Sequence, residues 1–104
     1  MINPLDELEN IFNFDMRQIY IRAKAEVGYN ATRYLQMLSK YGGIETAKKL
    51  LYDTKYVSDG FTTLYMAGRQ DLTVEALVLK DKYKTLFTVE ELEIARKRLE
   101  GKKI

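Results

Sequence analysis

Hydrophobic residues recur at i, i+3, i+4 and i+7 along nearly the whole chain, and they do not alternate. This spacing predicts helices. Asn3 is positioned as an N-cap with Pro4 at the first helical position, and Leu5, Leu8, Ile11 and Phe12 form one stripe. Asn13-Phe14-Asp15 is expected to break that helix, with Asp15 capping a second one over about 16–27. Met16, Ile19, Tyr20, Ala23 and Val27 share its inner face, and Gly28 ends it. Asn30 is expected to cap a third helix over about 31–41, whose stripe is Ala31, Tyr34, Leu35, Leu38 and Tyr41.

Gly42-Gly43 reads as a helix end and tight turn before a helix over about 44–52, which buries Ile44, Ala47, Leu50 and Leu51. Ser58-Asp59-Gly60 leads into a helix over about 60–67 that turns Phe61, Leu64 and Tyr65 inward, and Gly68 stops it. Leu72–Leu79 is apolar almost all round and is expected to be a helix at the centre of the core, with a short strand as the rival assignment. Lys80–Lys84 reads as a polar loop or frayed turn. Thr88-Val89-Glu90-Glu91 is a capping box, with Phe87 and Leu92 spaced as a staple across it. Val89, Leu92, Ala95 and Leu99 form the last stripe.

The expected fold is all-α: a compact single-domain bundle of six or seven short helices over residues 1–104. Residues 1–15 form an acidic N-terminal helix, 16–100 the core and 101–104 a frayed tail.

Charge is unevenly spread. The first 15 residues hold Asp6, Glu7, Glu9 and Asp15 and no base, whereas residues 16–60 sum to +4 and the whole chain to +2. An acidic start before a basic middle fits a self-complementary or a docking surface. No apolar run reaches membrane-spanning length, and the start lacks a basic n-region, so no membrane association and a cytoplasmic location are expected.

Most chemistry fails on inventory. The 104 residues contain neither cysteine nor histidine. Thiol chemistry is therefore excluded, together with the commonest general base and metal ligand. Ser39 and Lys40 are helix neighbours and do not face each other. The acids cluster in first helical turns, where the macrodipole accounts for them without a metal. Glu100-Gly101-Lys102 has a nuclease-like spacing but lies in the tail, and Gly42-Gly43 lacks the rest of a phosphate loop. Helix-turn-helix readings centred on Gly28, Gly42 or Gly68 each leave a charge at a core position or acids on the reading helix. No enzyme activity, cofactor or metal is expected.

The runs YNATRYLQMLSKYGGIETAKKLL (29–51), SDGFTTLYMAGRQDLTVEALVL (58–79) and LFTVEELEIAR (86–96) resemble a family of small bacterial all-helical proteins of unknown function. Its pattern is a GYNATRFLQM-like helix, a GG turn, SDGFTTL, GRLDLTVE and LFTxEEL. The likeness spans about residues 20–99, with Tyr34 where Phe is usual and Gln70 where Leu is usual. The resemblance implies a helical accessory module, sometimes appended to larger proteins and in some cases near bacterial defence genes.

The leading expectation is a non-enzymatic module that docks to another protein through Tyr29, Thr32, Arg33 and Arg69, with Tyr29 and Tyr56 as exposed anchors. Arg69 is expected to bind a helix end or to pair with Glu75. The alternative is nucleic-acid binding through Arg17, Arg22, Lys24, Arg33 and Lys40. A third reading is an enzyme restricted to carboxylates, tyrosine and lysine, which requires an acid in a pocket with a strongly perturbed pKa. A homodimer that buries a leftover stripe, such as Ile21 with Met37 or Met66, fits the same pattern.

Overall fold

The helix that starts at the Asn3 cap does not break. It runs over Pro4–Arg22 as α1 and widens into a turn of π-helix over Ala23–Val27. The computed structural model describes residues 3–53 and 57–101, except for the side chains of Val57 and Ser58. Tyr56, expected as an exposed anchor, and most of the expected tail lie outside the described residues.

The expected break at Asn13 and Asp15 fails for a physical reason. Such residues interrupt helices by bonding to their own backbone, and here both bond elsewhere. Asn13 Oδ1 accepts the Gly43 N–H at 2.7 Å, and Asp15 Oδ2 accepts the Tyr83 hydroxyl at 2.5 Å. The acidic start and the first part of the basic stretch, as far as Val27, are therefore one rod.

After Gly28, which takes the left-handed conformation, come α2 (Thr32–Tyr41) and α3 (Gly43–Tyr52). A π-helical turn over Val57–Phe61 leads into α4 (Thr62–Met66), and a 3-10 turn over Gln70–Leu72 leads into α5 (Val74–Val78). A 3-10 helix over Asp81–Leu86 precedes α6 (Val89–Leu99). The described residues form no strand, and the fold is an all-α bundle. The radius of gyration, 13.1 Å, is that of a compact chain of this length.

Within the apolar run Leu72–Leu79 a helix forms over Val74–Val78, capped by Thr73, whose hydroxyl accepts the Ala76 N–H. Val74, Leu77 and Val78 join Phe12 and Met16 of α1, Tyr34 of α2 and Leu50 and Leu51 of α3 in the main core. The expected loop at Lys80–Lys84 is instead wound as the 3-10 helix, because Tyr83 is drawn wholly inside. Its ring meets Phe12 edge-on at 4.9 Å.

Other expectations are corrected by tertiary packing. Ala31, not Asn30, holds the N-cap position of α2, and no side chain caps it. Asn30 Oδ1 accepts the Tyr20 hydroxyl at 2.8 Å instead. Val89 is 84% exposed. The inner face of α6 is rotated toward Glu91, Ala95 and Arg98, two of them charged and so unreadable as a hydrophobic stripe. Leu5, Ile11 and Tyr41 are exposed. The capping box at Thr88 and Glu91 forms as read, with both reciprocal hydrogen bonds present.

Arg98 and Glu75 are both buried, with Nη1 and Oε2 at 2.8 Å. Arg98 also donates to the Leu50 and Leu51 carbonyls at 2.9 and 2.6 Å. One guanidinium thus caps the end of α3, neutralises a carboxylate in the first turn of α5 and anchors α6.

Gly43 sits against α1 so closely that a Cβ would collide with Asn13 Oδ1 and press on the Phe12 ring. Gly43→Ala is expected to cost ~1–3 kcal/mol in urea unfolding, as overpacking does. Asn13→Ala is expected to cost ~1–3 kcal/mol because it orphans the Gly43 N–H. The double variant should cost less than the sum, since removing Asn13 Oδ1 relieves the collision. Strict additivity contradicts this contact.

Candidate functional site

The left-handed Gly28 turns the chain back over the end of α1, and the Tyr29 N–H closes that turn on the Ala23 carbonyl. The following residues, Tyr29 to Arg33, cross from α1 to α2 and line one side of a cavity of about 260 Å³. Asp59, Gly60 and Leu64 line it from the other side. Its deep part is made of buried Ala23, Tyr34, Leu50, Leu64 and Val74, whereas Asn30, Thr32, Arg33 and Asp59 at its rim are exposed. The interior is apolar and the mouth polar.

The tyrosines are fixed in different ways. Tyr34 donates to the Met16 carbonyl at 2.6 Å, and burial, with the Glu75 charge, pushes its hydroxyl well above the ordinary value. Tyr20 is held by Asn30. Tyr29 is half-buried rather than a free anchor: it packs on Ala23, Leu64 and Leu72, and burial followed by the Asp59 charge raises its pKa. Arg33 reaches Asp53 at 3.3 Å with its side chain 61% exposed, so its guanidinium can turn to an incoming group.

Three of the four expected docking residues, Tyr29, Thr32 and Arg33, therefore share one cavity. Arg69 does not join them. It pairs with Asp71 at 3.0 Å and Glu26 at 2.7 Å, and not with Glu75, which was one of its two expected partners beside a helix end. Those hydrogen bonds, from Asp71 first and then Glu26, raise the Arg69 pKa. Arg69 fastens the turn after α4 to the π-helical end of α1. Glu75 instead belongs to Arg98.

Several members of the basic set already have partners. Arg22 pairs with Glu26 at 2.8 Å, and Lys40 lies 5.2 Å from the Tyr41 ring centroid. Arg17 and Arg22 lie on one helix, but five residues separate them by ~140° around its axis. No group of three or more metal-ligating side chains converges among the described residues, and no helix among them is long and apolar enough to cross a membrane.

Sequence spacing missed Tyr20, Asn30, Asp59, Gly60 and Leu64 as parts of this cavity. They come from separate elements, and only the reversal at Gly28 brings them together. Comparison with protein-family models, curated proteins and solved structures gives no match.

Three carboxylates are held below their ordinary range. The Arg22 hydrogen bond, then that of Arg69, lowers Glu26, and the Arg69 hydrogen bond lowers Asp71. At Glu91, burial acts upward, but the Lys48 ammonium and the Thr88 N–H prevail and the pKa falls. A carboxylate lowered by folding contributes stability that is fully present above its unfolded pKa and is lost as pH falls through the folded one. Stability should therefore decline as the pH drops below about 4.5, the ordinary glutamate value. Glu91→Gln should flatten that decline in urea titrations at stepped pH, and an unchanged slope contradicts the assignment.

Proposed function

We propose that this domain is a non-enzymatic docking module that seats an apolar side chain of a partner protein in the cavity beneath Tyr29, Thr32 and Arg33. The observation that carries this reading is the convergence of those three residues on one cavity of about 260 Å³ with an apolar interior and a polar rim. An apolar cavity of ~150 Å³ holds a benzene ring, so this one has room for a leucine or phenylalanine side chain. Tyrosine and arginine at the mouth suit recognition, since both are enriched where proteins meet. The likeness to a bacterial family of accessory modules agrees with a docking role in the cytoplasm, in the neighbourhood of defence genes. Arg69 belongs to the support of the site rather than to its contact surface.

Nucleic-acid binding is the weaker proposal. Of its five bases, Arg22 is paired with Glu26 and Arg33 with Asp53, and Asp71 lies 3.9 Å from Arg22. Acids so placed repel a phosphate backbone.

Selection from a displayed peptide library on the purified protein tests the docking reading. Selected peptides should carry a bulky apolar residue. They should lose at least tenfold in affinity on Thr32→Trp, which obstructs the mouth from an exposed position. Peptides that bind the Thr32→Trp variant unchanged, or the absence of any peptide above background, would contradict it. Retention of single-stranded oligonucleotides at low salt, lost on adding salt, would favour the second reading.

A further inference from the structure

Because α1 is unbroken, it presents a second face that the sequence pattern divides between two helices. Ile11, Phe14 and Ile21 are exposed, Phe14 at 61%. At ~100° per residue they fall, with Gln18 between them, on one stripe spaced three and four residues apart. That stripe lies roughly half a turn from Phe12 and Met16, which α1 buries against the rest of the bundle. None of its three apolar side chains packs into either core cluster. Single exposed apolar residues are ordinary, but three aligned at the seam spacing of paired helices are a surface.

The charges beside the stripe say what covers it. Asp6 and Glu7 lie in the first turn of α1, and Arg17, Arg22 and Lys24 lie in and just beyond its second half. Asp6, Glu7, Arg17 and Lys24 form no ion pair with any described residue. A partner helix laid along the stripe must offer bases near residues 6–7 and acids near residues 17–24. A second copy of α1, running antiparallel, does both at once. A parallel copy sets acids on acids and bases on bases.

We propose that two copies of this chain associate through the outer face of α1, antiparallel about a two-fold axis. Ile11, Phe14 and Ile21 are buried between the copies. The acidic start of each helix faces the basic end of the other. This is an isologous contact and closes at two. One helix pair is smaller than a standard interface, so association should be concentration-dependent and should weaken with salt. Ile11, Phe14 and Ile21 are not among the residues that line the cavity beneath Tyr29.

Sedimentation equilibrium of the full chain tests the proposal. At low salt the mass should rise with concentration from 12.2 kDa toward twice that value. Phe14→Glu, at an exposed position, should hold the mass at that of the monomer while circular dichroism stays unchanged. Asp6→Lys with Glu7→Lys should weaken the dimer at least fivefold, and so should Lys24→Glu. All three changes in one chain should restore it, because the swap re-creates the complementarity in the antiparallel arrangement alone. A mass of one chain at every concentration, a dimer indifferent to Phe14→Glu, or no restoration by the threefold swap would each overturn the proposal.

Discussion

The buried guanidinium of Arg98 is the interaction on which the arrangement of helices depends. A buried arginine is tolerable only when its charge and its donors are met. Here Glu75 meets the charge, and the Leu50 and Leu51 carbonyls take up donors. Those carbonyls close α3, where the helix dipole favours a cation. Glu75 is in the first turn of α5, where the dipole favours an anion. Two helix ends and two charges are therefore satisfied by one side chain, and α6 is held across both α3 and α5. A shift of any of these helices would leave a charge or a carbonyl stranded in a dry interior.

The second organising element is α1. Its inner face supplies Phe12 and Met16 to the core. Its polar residues Asn13 and Asp15 bind Gly43 and Tyr83 and set the position of α3 and of the 3-10 helix before α6. Its far end, widened into a π-helical turn, supplies Ala23 to the cavity wall, and Glu26 at that end holds Arg69. The cavity is thus a product of how α1 ends, because the Gly28 reversal sends Tyr29 to Arg33 back over it. Its rim is polar where α2 begins, and its depth is apolar because it opens onto the core.

Features determined by near neighbours were legible in the sequence. The Asn3 cap, the Thr88 capping box, the Gly28 and Gly42 stops and the helix within Leu72–Leu79 all depend on residues within a turn or two. The helical class followed from spacing alone. Features whose partners are distant in sequence were not legible. Asn13 reads as a helix breaker until its bond to Gly43, thirty residues on, is known. Asn30 reads as a cap until Tyr20 takes its side chain. Tyr83 looks like loop until Phe12 is seen beside it. Arg98 and Glu91 carry no hydrophobic signal, so a stripe counted on apolar residues placed Val89 on the inner face of α6. Of the cavity, Tyr29, Thr32 and Arg33 were singled out together because they lie close along the chain. The opposing wall was not, and the pairing of Arg69 with Glu26 and Asp71 gave no periodic signal.

The most direct test of this account is the urea stability of Arg98→Met beside Arg96→Met, an exposed arginine in the same helix turn. Arg98→Met should cost ~3–5 kcal/mol, because it withdraws the guanidinium from the buried Glu75 carboxylate and from the Leu50 and Leu51 carbonyls. That is a large share of the ~5–15 kcal/mol typical of a folded domain. Arg96→Met should cost less than ~1 kcal/mol, as an exposed ion pair does. Equal small losses for both variants would contradict the central place given to Arg98.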